Sequence, residues 1–168
     1  SRGIVGFNNY LRMEKKHGKM KKQVLLFFFT GAFCFAGCKR QFDPINYGHE
    51  ACTHCRMTIM DNRFAAEIIT SKGRAIKFDD FGCLLGWVKE ENFSDPGAMI
   101  FVADFNHPGG DFLDARHAVF IHDETLRSPM NGNFADTASE IQANQLNKSE
   151  HSQILTWINL SKCKGYRL

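Results

Sequence analysis

The sequence predicts an α+β protein made of two small units, each with the element order strand, strand, helix, strand. Three observations support this fold class. Apolar and polar residues alternate over 64–70 and again over 74–78, which is typical of strands. An apolar stripe at helical spacing follows over 81–88. Beyond an Asn, Pro and Gly-rich break at 106–110, segments of the same types recur, so we expect one unit over 49–105 and a second over 106–168.

The first unit is expected to open with a hairpin, in which Ser71-Lys72-Gly73 turns the chain between the two strands. Asp79 and Asp80 then stand where a helix prefers its N-cap and an early carboxylate. The helix itself is predicted from the apolar stripe Phe81, Leu84, Leu85 and Val88. The short apolar run over 98–105 predicts a buried strand that completes the unit.

The second unit has weaker local signals. Residues 111–114 and 117–122 are predicted to be strands, the second of them more clearly. Asn133 is expected to cap a helix with the apolar stripe Phe134, Ala138 and Ile141. Residues 153–158 alternate and predict the last strand.

Residues 1–37 differ from the rest of the chain in charge and hydropathy. They contain seven of the 21 Lys/Arg and one of the 18 Asp/Glu, which leaves 14 and 17 for residues 38–168. This mildly acidic remainder argues against nucleic-acid binding, since such binding depends on Lys/Arg at phosphates. Lys21 and Lys22 precede an apolar run over 24–35 that is too short to cross a bilayer. Together with the small residues before Cys38, this pattern indicates a secretory signal peptide.

The end of this leader resembles a bacterial lipobox, so we expect cleavage before Cys38 and lipidation of its thiol. Residues 38–48 are then an extended tether, and the lipid holds the mature protein on a membrane surface without spanning it. This places the protein in the cell envelope, facing the periplasm. Lys39 stands where an Asp often signals inner-membrane retention, which favours the outer membrane.

The densest group of metal-binding residue types lies within 49–57. Cys52 and Cys55 have C-x-x-C spacing, His54 lies between them, and Met57 adds a thioether. Thiolates and thioethers select Cu(I), whereas zinc seldom takes a thioether. The segment therefore favours Cu(I), and Met130, in a loop after Pro129, is a further candidate ligand.

Other interpretations of the two cysteines remain open. In an oxidising compartment the pair forms a structural disulfide; it also fits a thioredoxin-like redox pair or half of a zinc site. Cys83 lies beside the apolar stripe of the first helix and is predicted to be a buried core residue. The sequence contains no phosphate-binding loop or dinucleotide fingerprint.

The chain resembles the NosL family, which comprises lipoprotein copper-binding accessory proteins of nitrous oxide reductase. The resemblance spans residues 47 to about 158 and rests on an ordered set of motifs: Cys52-x-x-Cys55-x-Met57, Asp61, Phe64-Ala65-Ala66-Glu67, Phe78-Asp79-Asp80-x-Gly82-Cys83 and Pro129-Met130. It implies a fold similar to that of the organomercurial lyase family. It also implies a non-enzymatic protein that binds Cu(I) and passes it to the machinery assembling the copper sites of nitrous oxide reductase.

The family's ligand positions carry over as Cys55, Met57 and Met130, with Cys52 and His54 as further candidates. The resemblance thus implies a partly exposed, low-coordinate Cu(I) site that joins the 52–57 segment to the Met130 loop. Two positions depart from the family pattern, because Arg56 and Asn131 stand where Gly is usual.

Two competing functions stay open. One is an enzyme, either a thiol oxidoreductase or a lyase acting on organometal thiolates, for which Cys83 near Asp79 and Asp80 is the candidate reactive group. The other is a lipoprotein without metal, in which a Cys52–Cys55 disulfide stabilises the fold.

Overall fold

The computed structural model describes the backbone of residues 41–163 and the side chains of residues 41–160. The predicted signal peptide and the lipidation site Cys38 lie outside the described residues. Within 41–163, no helix is long and apolar enough to cross a membrane. The described chain mixes small antiparallel sheets with short helices, which confirms the α+β fold class.

The first sheet contains four strands in the order β2-β1-β3-β4. They are β1 (Ala66–Ile69), β2 (Ala75–Phe78), β3 (Met99–Val102) and β4 (Leu113–Asp114), and every neighbouring pair is antiparallel. The predicted hairpin is therefore confirmed, with Ala66 opposite Phe78. The central strand β1 pairs with a neighbour on both edges, and all four of its residues are buried.

Helix α1 (Phe81–Glu90) follows β2 directly and begins as predicted. Asp80 is its N-cap, and the Asp80 carboxylate accepts a hydrogen bond from the backbone N–H of Cys83 at 2.7 Å. Such a cap satisfies one of the donors that a helix N-terminus leaves without a partner. The predicted stripe is buried in the core, and complete burial of the Leu84 side chain alone stabilises the fold by roughly 1.5–3 kcal/mol.

The second sheet contains three antiparallel strands in the order β6-β5-β7. They are β5 (Val119–His122), β6 (Phe134–Thr137) and β7 (Gln153–Thr156). Helix α2 (Glu140–Leu146) connects β6 to β7, and helix α3 (Trp157–Cys163) follows β7 without a break. A short 3-10 helix spans Glu124–Leu126.

The prediction of a helix starting at Asn133 is wrong. Residues 134–137 form β6, which pairs with β5 so that Phe134 lies opposite His122. The helix begins after Ser139, whose hydroxyl accepts from the N–H of Gln142, while the Gln142 side chain accepts from the N–H of Ala138. A Ser-x-x-Gln capping pattern at 139–142 is thus the local signal that the apolar spacing obscured.

Two further strand predictions need correction. The last strand ends at Thr156, because residues 157 and 158 already belong to α3. The short strand near 113 forms, but it pairs with β3 in the first sheet. Residues from both predicted units share one core, in which the rings of Phe81 and Phe120 stack with centroids 4.8 Å apart. The division at 105/106 stays a prediction.

Candidate metal centre

The C-x-x-C segment is a tight loop closed by its own backbone. Ala51 and Thr58 form an isolated antiparallel bridge, and inside it the N–H of Cys52 donates to the carbonyl of Met57 at 2.8 Å. Arg56 completes the turn by donating its N–H to the carbonyl of Cys52 at 3.0 Å, in a left-handed conformation with φ of 67°. This conformation explains why Gly is usual at this position, since only Gly adopts it without a steric cost.

The loop lies against β2 and the start of α1. Thr53 donates its N–H to the carbonyl of Lys77 in β2 at 2.9 Å, which fixes Cys52 beside the strand that leads into α1. Cys83 lies in the first turn of α1, so the strand-to-helix junction brings a third thiol to the C-x-x-C loop.

The sulfur atoms of Cys52, Cys55 and Cys83 all lie within 4.8 Å of one another. Cys52 and Cys83 are buried, whereas Cys55 is partly exposed. A metal–thiolate bond measures about 2.3 Å, so three thiolates around one ion in a plane are separated by about 4 Å. The observed spacing fits that requirement, and the donors are those that a soft ion prefers.

Sequence reasoning placed Cys83 in the core and in the enzymatic alternative, but did not predict it as a metal ligand. Its predicted burial is confirmed, with 3% of its surface exposed, but it also shares the pocket with the two loop cysteines. The signals in the sequence were its place three residues after the capping Asp80 and its part in the motif Phe78-Asp79-Asp80-x-Gly82-Cys83.

The three thiols differ in pKa, and therefore in how readily each loses its proton. The Cys83 thiol donates a hydrogen bond to Cys52, which is the main reason that the pKa of Cys52 falls to about 5. Backbone N–H groups of His54, Cys55 and Asp79 also donate to the Cys52 sulfur. The same hydrogen bond, together with burial, raises the pKa of Cys83.

Burial raises the pKa of Cys55 and, with the nearby Cys52 charge, raises the pKa of Asp79 to about 6. Of the three thiols, Cys52 is therefore the one that loses its proton most readily.

The two predicted thioether ligands lie on separate loops. Met57 is 57% exposed, and its backbone N–H donates to the sulfur of Cys55. Met130 is 39% exposed in the loop between β5 and β6. That loop is bound to the start of α1, because the Asp80 carboxylate accepts the N–H of Met130 at 3.1 Å. The structure therefore connects both methionines to the elements that carry the cysteines.

His54 lies on the other side of the loop. Its ring packs against Gly86 of α1, where an added Cβ would fall 2.8 Å from Nε2. Its Nδ1 atom is 3.5 Å from a carboxylate oxygen of Glu90. Among the described residues, His54 does not join the group of three thiols.

Fold and site together define a small α+β protein with a three-thiol pocket at a strand–helix junction. The NosL family model matches residues 45–163, so the chain belongs to the NosL family. The fold matches the crystal structure of the copper chaperone NosL from Shewanella denitrificans, with a TM-score of 0.61. That match has 16% sequence identity and covers 74% of this chain and 98% of the other. No curated protein matches the sequence.

Proposed function

We propose that this protein binds Cu(I) as a cargo and delivers it for copper-site assembly, without catalysing a reaction. The observation that carries the proposal is the group of three thiols, with sulfurs no more than 4.8 Å apart, in a chain of the NosL family. Soft sulfur donors select Cu(I) over harder ions. The match to a protein described as a copper chaperone supports the same function.

Delivery requires that a ligand of the acceptor protein bind the ion before the ligands of the carrier dissociate from it. The exposure of the sulfur groups supports this, because Cys52 and Cys83 are buried while Cys55 is partly exposed. Met57 and Met130 are more exposed still. We propose that the buried thiols retain the ion and that the exposed sulfurs take part in its exchange.

The proposal also includes a recipient for the copper and a cellular location for the protein. Membership of the NosL family favours nitrous oxide reductase, or the machinery that assembles its copper sites, as the recipient. We further propose that a lipid on Cys38 holds the protein on the periplasmic face of a membrane, with the outer membrane favoured. Mass spectrometry of the protein from its native host tests the lipid, since an unmodified internal Cys38 contradicts it.

An anaerobic Cu(I) titration of the reduced protein against a chromophoric chelator tests the central claim. We expect one tightly bound equivalent, not matched by Zn(II), and weaker binding after Cys52→Ser, Cys55→Ser or Cys83→Ser. Met57→Ala and Met130→Ala should weaken binding less. Met99→Ala is the matched control, since Met99 is a partly buried methionine on β3 outside these loops. Absence of binding by the fully reduced parent would favour the lipoprotein with a Cys52–Cys55 disulfide.

One observation supports an enzymatic alternative. The carboxyl of Asp79 is buried beside Cys52, and its Oδ1 atom has no hydrogen-bond partner among the described residues. A lyase acting on organometal thiolates needs such a proton donor next to a thiolate. Incubation of the reduced protein with an organomercurial and excess thiol tests this: release of the hydrocarbon, abolished by Asp79→Asn, would establish the lyase, and we expect none.

A further inference from the structure

We propose that Asp80 is a positioning residue that holds the Met130 loop against the start of α1, so that the Met130 thioether serves as a ligand beside the three-thiol pocket. The inference rests on the proposed Cu(I)-binding function. It assigns to Asp80 a task beyond capping the helix.

The two oxygens of the Asp80 carboxylate face different parts of the chain. Oδ1 accepts from the N–H of Cys83 at 2.7 Å and caps α1. Oδ2 accepts from three donors of the loop: the hydroxyl of Ser128 at 2.6 Å, the N–H of Met130 at 3.1 Å and the N–H of Gly132 at 3.3 Å. One carboxylate thus joins a pocket cysteine to the loop methionine through their backbone N–H groups.

Burial makes these bonds hard to replace. Asp80 is 1% exposed and Ser128 is 4% exposed, so water has little access to the bond between them. A buried donor that loses its partner costs about 1–3 kcal/mol. The loop therefore keeps its place only while an acceptor with the reach of this carboxylate is present.

A contact between two glycines brings the loop and the helix close enough for these bonds. A Cβ added to Gly82 would fall 2.5 Å from the Cα of Gly132, and a Cβ added to Gly132 would fall 2.7 Å from the Cα of Gly82. Both distances are shorter than any ordinary carbon–carbon contact. Gly at both positions lets the loop backbone lie directly on the first turn of α1, next to Cys83.

The loop is also shaped so that Met130 remains accessible. Ser128 accepts the N–H of Asn133, and Asn131 turns the chain in a left-handed conformation with φ of 57°. Met130 is fixed through its backbone, while its side chain is 39% exposed. A fixed backbone with an exposed thioether is the arrangement expected of a ligand that meets both cargo and acceptor.

Asp80→Asn separates the two tasks of the carboxylate. Asn is as good an N-cap as Asp, so its amide oxygen retains the bond to Cys83 and the start of α1. Its NH₂ group then faces Ser128, Met130 and Gly132, and it cannot accept a hydrogen bond from their donors. The loop should lose its contact with the helix while the three thiols keep theirs.

The test uses protein labelled with ¹³C at the methionine methyl groups and titrated anaerobically with Cu(I). In the parent, one equivalent should shift the Met130 methyl resonance. In Asp80→Asn, that shift should be lost while the Cu(I)–thiolate absorbance remains, and the affinity should fall by roughly 10–100-fold, the usual effect of removing a residue that orients a ligand. Asp104→Asn is the matched control, since Asp104 is also buried and accepts in its own turn outside the site.

Gly132→Ala provides a second route to the same result with Asp80 intact, because its Cβ meets the backbone of Gly82. The inference is wrong if Met130 shifts in Asp80→Asn as it does in the parent, or if the Cu(I)–thiolate absorbance is lost with it. It is also wrong if Met130 does not respond in a parent that binds Cu(I). A parent that binds no Cu(I) at all contradicts the proposed function instead.

Discussion

Replacement of the buried Glu67 by Gln should stabilise the protein at neutral pH and not at acidic pH. Glu67 lies in the middle of the first sheet, on β1, with none of its surface exposed. Its Oε2 atom accepts the N–H of Asp43 at 3.2 Å, while Oε1 is buried without a hydrogen-bond partner in the described part of the chain. Burial raises the pKa of Glu67 to about 7, because the low-dielectric interior disfavours the charged form.

The sign of the pH effect follows from proton binding. Between pH 4.5, the ordinary pKa of the group, and about 7, the folded protein holds the Glu67 proton more tightly than the unfolded chain does. The stability contributed by the protonated carboxyl is therefore complete below pH 4.5 and is lost as the pH rises through 7. At about 1.4 kcal/mol per unit of pKa difference, the loss amounts to about 3 kcal/mol.

Gln resembles the protonated carboxyl in shape and does not ionise, and its amide oxygen accepts the same N–H of Asp43. Urea denaturation of the reduced, metal-free protein should show Glu67→Gln more stable than the parent by about 3 kcal/mol at pH 8 and nearly equal at pH 4.5. With an m value of about 2 kcal/mol/M, the midpoint at pH 8 shifts by roughly 1.5 M.

Two comparisons make this measurement specific to Glu67. The exposed Glu150 provides a control, since Glu150→Gln should move neither midpoint. Asp79 and Asp136 are buried carboxyls with raised pKa values, but they contribute equally to parent and variant and cancel in the difference. The reasoning is refuted if the variant and the parent differ by the same amount at both pH values.

Three further outcomes are expected. In the reduced protein without metal, an alkylating reagent should modify Cys55 first, as followed by mass spectrometry, because Cys52 is more readily deprotonated but has none of its surface exposed. Cu(I) should protect Cys55. Arg56→Gly should stabilise the protein by up to about 1 kcal/mol in thermal unfolding, because Gly adopts the left-handed conformation without strain. Leu84→Ala should destabilise by about 2–5 kcal/mol in urea, whereas Ile141→Ala, at a 73% exposed position, should change stability by less than about 0.5 kcal/mol.

The elements of the first unit were predictable because their signals are local. The hairpin and α1 each combine a clear apolar period with a suitable turn or cap, and tertiary structure reinforces the same choice. The structure of the segment over 134–141 was not predictable in this way, because Phe134 and Ile141 match a helical spacing by chance. Pairing with β5 decides that residues 134–137 are a strand, and Ile141 is left 73% exposed.

The sequence predicted only that part of the candidate site which lies within a single loop. Cys52, Cys55 and Met57 lie within one loop, so their spacing alone indicated a soft metal site. Cys83 joins them through the packing of that loop on β2 and α1, a contact that no spacing along the chain encodes. For the same reason, the sequence suggested a helix cap or a place beside a reactive Cys83 for Asp80, and gave no sign of its bonds to the Met130 loop.

Arg56 and Asn131 stand where the family usually has Gly. Both are compatible with the site, because they add backbone strain but leave the left-handed conformation of the turn in place. Arg56 and Asn131 have φ values of 67° and 57°, so the backbone keeps the left-handed turns that Gly would make there. Asn tolerates this conformation better than most residues, whereas Arg has no such advantage. The turn at Arg56 is held instead by its bond to Cys52 and by the bridge between Ala51 and Thr58. The strain therefore lies in the loop that carries the partly exposed Cys55.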